Sequence, residues 1–210
     1  MKISIAPNVR LYVDIEGVGL VPDAAKMREK PTLTLLHGGP GYDHASFKPA
    51  FSQLSDAVQV VYYDHRSHGR SGSRPKEEWT LDTFADDVVK LCDALDIQKP
   101  IVLEQSCCGF VAQRHIARHP DHPPKVILSS TSPDLGLERK LTMFKRLGGP
   151  TARDVAERFW TAPDEASYVM YKKVCKPFYS TVAPKKTMGH YAPPPDRKFF
   201  FRGSEGSNKR

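Results

Sequence analysis

Residues Val102-Leu103-Glu104-Gln105-Ser106-Cys107-Cys108-Gly109 constrain this chain more than any other stretch. An apolar run from Pro100 to Leu103 gives way to small residues and then to helical spacing, which predicts a strand turning sharply into a helix. A serine at such a turn has its hydroxyl held off the end of a sheet, where it can act as a nucleophile. The pattern that builds the turn is G-x-S-x-G. Here Glu104 stands at the first glycine position and Cys108 at the second, with Gly109 one residue late. A serine between strand and helix also serves as an ordinary N-cap, and the local sequence leaves both roles open.

The surrounding order of elements narrows the fold. Ile3 to Ala6 and Val9 to Ile15 alternate and predict an antiparallel hairpin or two edge strands. Glu16 to Lys30 is polar, contains Gly17, Gly19 and Pro22, and reads as loop. Thr32 to Leu36 is an apolar strand that stops in His37-Gly38-Gly39-Pro40-Gly41, a loop whose glycines let backbone N–H groups turn toward a developing oxyanion. Val58 to Tyr63 is a further strand, followed by the polar loop Asp64-His65-Arg66-Ser67-His68-Gly69-Arg70-Ser71-Gly72. Phe84, Val88, Leu91, Cys92 and Leu95 lie on one helical face, with the start signalled by Thr80 or Thr83. Phe110 to Arg118 predicts the helix after the turn, and Val126 to Leu128 one more buried strand. Strands alternating with helices predict a mostly parallel sheet with helices on its faces and a site beyond the strand carboxyl ends.

Composition excludes several functions. The chain has 210 residues, 40% of them hydrophobic, enough for a sizeable core. Its net charge of +7 invites a nucleic-acid reading, but Lys172 to Arg210 hold ten Lys/Arg against Asp196 and Glu205, a balance of +8. The remainder, with 21 basic and 22 acidic side chains, is at −1 and has no basic face, so no nucleic-acid partner is expected. No run of about 18 apolar residues occurs, and Met1 to Arg10 lacks the build of a signal peptide; no membrane partner and a cytoplasmic address are expected. Cys92, Cys107, Cys108 and Cys175 lack C-x-x-C spacing and read as reduced thiols rather than a disulfide frame or zinc site.

Four motifs in order, His37-Gly38-Gly39-Pro40-Gly41, the Asp64 to Ser71 loop, Gln105-Ser106, and Gly109-Phe110-Val111-Ala112-Gln113-Arg114, resemble the proline iminopeptidase branch of the α/β-hydrolases. The resemblance covers roughly residues 1 to 180. It implies an α/β-hydrolase fold, a mostly parallel sheet flanked by helices with the beginning of a helical cap. Residues 1–133 would be the N-terminal part of the core, 134–180 the cap segment, and 181–210 an irregular basic tail. It also implies that Ser106 is the nucleophile and that the N–H groups of Gly39 and Cys107 form the oxyanion hole. The substrate would be a small peptide or ester, attacked at its carbonyl to release an N-terminal residue, with no metal and no cofactor.

After Ser132-Pro133 the pattern predicts helices without intervening strands: Leu135 to Leu147, Thr151 to Trp160, and Asp164 to Cys175. The family continues with further parallel strands, a triad acid and a late triad histidine, in the order Ser, acid, His. The sequence is therefore expected to lack the C-terminal part of the sheet, which leaves an uncovered edge and an expectation of self-association. His190, in Gly189-His190, is the one histidine of that region and enters as a candidate base; no strand precedes it. His115, His119 and His122 read as surface or capping residues. Ser67, Glu104 and Cys108 each stand where the family usually has glycine, and a glutamate beside the turn is expected to swing to solvent or strain it. Two function classes follow: a serine hydrolase, or a non-catalytic relic or binding module that keeps the first half of the fold without its base.

Overall fold

Alternating apolar residues early in the chain and apolar runs later supply the strands of one sheet. β1 (Lys2–Ala6) and β2 (Val9–Glu16) form an antiparallel pair, and β3 (Leu20–Asp23) and β4 (Lys26–Glu29) a separate two-stranded ribbon. β5 (Thr32–Leu36), β6 (Gln59–Tyr63), β7 (Pro100–Gln105) and β8 (Lys125–Ser129) complete a six-stranded sheet of order β1-β2-β6-β5-β7-β8. β2 runs antiparallel to β6, whereas the β6-β5, β5-β7 and β7-β8 pairs are all parallel. The computed structural model describes residues 1–39 and 42–181, which fall into two compact units, one formed by Met1–Pro133 and one opening at Asp134. The basic tail read from the sequence, beyond its first residue, lies outside the described residues.

Register decides what each face of the sheet buries. Leu35 pairs with Tyr62 and Leu103, and these residues with Leu33, Val60 and Phe47 form one buried cluster. One residue later, Tyr63, Leu36, Glu104 and Leu128 form a row across four strands on the opposite face. α1 (Leu81–Ala94) starts at Thr80, whose hydroxyl accepts from the Thr83 N–H, and buries Phe84, Val88, Leu91 and Cys92. Each such side chain contributes about 1.5 to 3 kcal/mol by leaving water. α2 (Gly109–Arg118) packs on α1, β7 and β8.

The second unit contains α3 (Leu137–Thr161) and α4 (Glu165–Val174). Gly148-Gly149-Pro150 breaks α3: Gly149 sits at φ 73°, open to glycine alone at low cost, and Pro150 has no N–H to continue the ladder. Leu141, Phe144, Ala152, Ala156, Phe159, Tyr171 and Cys175 form its core, with the Phe159 and Tyr171 rings stacked at 4.4 Å. Asp164 caps α4 in a reciprocal box with Ser167.

Three expectations are corrected. Glu16 to Lys30 is not loop throughout: Glu16 closes β2, and β3 and β4 form a hairpin turned at Ala24, φ 54°. Almost all of that ribbon is exposed, so it has no buried face and no apolar alternation marks it. β8 is not a buried strand; Ile127 and Leu128 are 46% and 50% exposed, because β8 is an edge strand among the described residues. Its composition is that of a covered strand, but cover depends on neighbours in space. His115 is not a surface residue but fully buried on α2.

Candidate active site

Parallel pairing brings the ends of β6, β5 and β7 to one margin of the sheet, with Leu36 beside both Tyr63 and Glu104. The loops that follow them therefore gather there. Gln105 is still extended at φ −124° and ψ 135°, Ser106 turns to φ 60°, and Cys108 is already helical at φ −71° and ψ −4°. A strand becomes a helix within three residues, and the serine at the hinge holds a conformation that L-residues rarely adopt. Ser106 is exposed.

The glycine loop after β5 lies against this turn. A side chain at Gly38 would place its Cβ 3.1 Å from the Gln105 carbonyl oxygen and 3.4 Å from Ser106 Cβ, so the absence of one lets the two segments touch. Gly39 follows at φ 151°. Pro40 and Gly41, also read as part of this loop, lie outside the described residues, as does His190.

Buried polar residues fix the floor. His37 donates from Nδ1 to the Gly38 carbonyl at 2.8 Å and accepts the His65 backbone N–H at Nε2. His65 stands 3.3 Å from both the Tyr63 hydroxyl and the Cys108 thiol. Burial pushes both imidazoles down in basicity, His65 well below the usual range, so both are neutral. Asp64 accepts from the backbone N–H groups of His44 and Arg70 and from His44 Nδ1; burial alone would raise its pKa, but these hydrogen bonds outweigh it and lower it. Arg66 grips Asp87 of α1 through two bonds of 2.6 and 2.5 Å. The Ser71 hydroxyl donates to the Asp64 carbonyl and accepts the Tyr12 N–H, tying the loop to β2. The charged loop after β6, read from the sequence as polar and turn-rich and as one of the four motifs of the resemblance, is thus braced through its buried Asp64, His65, Arg66 and His68.

The three departures from glycine are absorbed differently. Ser67 occupies φ 61°, the conformation a glycine would favour. Cys108 is helical and buried against His65, while the close approach of helix to neighbouring chain falls on Gly109, where a Cβ would sit 1.8 Å from Thr131 Oγ1. Glu104 neither swings to solvent nor strains its backbone. It is a regular β7 residue, fully buried, and neither carboxylate oxygen has a hydrogen-bond partner among the described residues. Burial pushes its carboxyl up to about 8.

Residues 31–170 match the family described as alpha/beta hydrolase fold, two thirds of the sequence. The chain belongs to the α/β-hydrolase fold family. Among curated relatives of this α/β-hydrolase, it is similar to the proline iminopeptidase PfmaB of Pestalotiopsis fici, with 33% identity over 58% of this chain and 44% of that protein. It is also similar to the putative carbamate hydrolase RutD of Caulobacter vibrioides, with 34% identity over 46% of this chain and 36% of that protein. The chain thus spans less than half the length of these curated relatives. Among solved structures, a proline iminopeptidase from Mycobacterium smegmatis aligns at TM-score 0.65 and 20% identity over 89% of this chain and 63% of that one. An esterase from Thermogutta terrifontis aligns at TM-score 0.54 and 25% identity over 79% of this chain and 55% of that one.

His37 and His65 are committed to the contacts named above, and among the described residues no imidazole is hydrogen-bonded to Ser106. His119 caps α2 and bonds Asp86 at 2.8 Å, and His122 lies 3.0 Å from buried His115, so this trio belongs to helix packing rather than to the site. Among the described residues no His, Cys, Asp and Glu group is arranged to hold a metal ion, and no helix is long and apolar enough to cross a membrane.

Proposed function

We propose that this α/β-hydrolase is a serine hydrolase in which Ser106 attacks the carbonyl carbon of a small amide or ester. The observation that carries the reading is Ser106 at φ 60° between β7 and α2, seated against Gly38. Strain of this kind, about 1 to 3 kcal/mol, persists where the surroundings over-determine it, and such places cluster at active sites. The N–H groups of Gly39 and Cys107 belong to the two segments that meet here and would stabilise the oxyanion formed by attack. Release of an N-terminal residue, proline among the candidates, is the substrate class favoured by the relatives named as proline iminopeptidases. The unit opening at Asp134 serves in this reading as a helical cap. The chemistry needs neither metal nor cofactor.

A fluorophosphonate probe tests the assignment. Labelling of the intact protein should be lost in Ser106→Ala, and labelling that survives the substitution would refute it. A panel of aminoacyl and ester chromogenic substrates then sorts peptidase from esterase. The engagement of the nearby histidines favours a second reading, in which the chain binds such ligands but turns them over slowly.

A further inference from the structure

Glu104 is the one carboxyl among the described residues that is wholly buried with both oxygens unpartnered, and it stands two residues before Ser106. Cys108, two residues after Ser106, is buried as well. Among the described residues the titratable groups that feel a charge on this carboxyl are Tyr63 from β6 and Cys108 from the turn, each made less acidic first by burial and in part by charge on Glu104. His65 lies against both and is neutral. None of these groups supplies a positive charge, and burial alone accounts for the upward shift at Glu104. Among the described residues a negative charge here has no partner to stabilise it where it stands, so its relief requires donors or water to be drawn in.

We propose that Glu104 is a positioning residue for the Ser106 turn and works as the neutral acid, its ionisation displacing the end of β7 and relaxing the serine from its poised conformation. The inference rests on the reading of Ser106 as nucleophile. It makes the site one that loses competence as pH rises, opposite to the rise expected from a serine activated by a histidine base. Proton loss with a midpoint at about 8 leaves roughly one molecule in eleven competent one pH unit higher.

The test compares wild type with Glu104→Gln, isosteric and neutral at every pH, and with Glu104→Met as a second neutral variant should the amide impair folding. Fluorophosphonate labelling rates of the full chain are measured from pH 6 to 9.5, and hydrogen exchange of the segment 104–109 is followed in parallel. The variant-to-wild-type labelling ratio should be flat from pH 6 to 7 and rise about tenfold by pH 9. Protection of the segment should fall with pH in wild type only. Parallel pH profiles with unchanged protection, while Ser106 is still labelled, would overturn the inference. If labelling does not depend on Ser106, the nucleophile reading fails, and the exchange data alone decide whether Glu104 positions the turn.

Discussion

Gly109 is where the packing of the turn is least forgiving, and Gly109→Ala should be destabilising. The added Cβ would lie 1.8 Å from Thr131 Oγ1, 2.4 Å from Thr131 Cβ and 2.7 Å from Thr131 Cγ2. Rotation about χ1 moves Oγ1 and Cγ2 away, but Thr131 Cβ is fixed by its backbone, so the clash is relieved only if α2 or the chain after β8 shifts. Helix propensity acts the other way by at most about 1 kcal/mol, the gain of alanine over glycine in a helix interior, since Gly109 is the first residue of α2. Overpacking typically costs about 1 to 3 kcal/mol, and backbone displacement puts this site at the upper end, for a net loss of about 1 to 2 kcal/mol. Thermal or urea denaturation of the single variants and of Gly109→Ala with Thr131→Gly closes a double-mutant cycle. The double variant removes the obstructing Cβ, so a favourable coupling of at least about 1 kcal/mol is expected. Additive effects, or a Gly109→Ala protein as stable as wild type, would refute the reasoning.

The remaining expectations concern the same turn. Ser106→Gly removes a left-handed penalty of about 1 to 2 kcal/mol against an entropic cost of about 0.5 to 1, so the melting temperature should rise by about 2 to 4 °C, whereas Ser106→Ala keeps φ 60° and should not raise it. Equal gains in both would show that backbone strain is not the cause. Glu104, protonated up to about 8 when folded and near an ordinary 4.5 when unfolded, binds more protons in the folded state between those values. Stability should therefore fall as pH rises from about 4.5 to 8, by about 4 to 5 kcal/mol in all, and calorimetry of Glu104→Gln should show that slope removed. Turnover of proline and alanine aminoacyl chromogenic substrates should lie below the ordinary range of about 1 to 10³ per second. A rate within that range, abolished by His190→Ala, would assign the base to His190.

What was legible in the sequence divides along a physical line. Periodicity reports burial along one element, and so α1, with its start at Thr80 or Thr83, and the strand-turn-helix at Ser106 were readable, the structure deciding the cap for Thr80. The ribbon β3-β4 was not, because exposed strands carry no hydrophobic period, and the exposure of β8 was not, because an edge strand and a central one share a composition. The buried brace of Asp64, His65, Arg66 and His68 reads as a solvent loop, since nothing local says that Asp87 and His44 will arrive to satisfy it.

The glycine positions expose the limit of motif matching most sharply, because a consensus glycine stands for two separate demands. One is a left-handed backbone, which here falls on Ser106 and Ser67 and is met at a cost in strain. The other is room for a neighbouring chain, which falls on Gly109 rather than on Cys108. Cys108, free of both demands, uses its side chain to contact His65 instead. Glu104 carries neither demand either: its side chain enters the row of Tyr63, Leu36 and Leu128 with regular strand geometry, so its cost is desolvation, set by what surrounds it in space. A departure from a motif is thus to be weighed by the demand that the glycine met at that position. By that measure the two substitutions flanking Ser106 fall where neither demand applies: Glu104 keeps regular strand pairing and Cys108 helical dihedrals on either side of the left-handed Ser106.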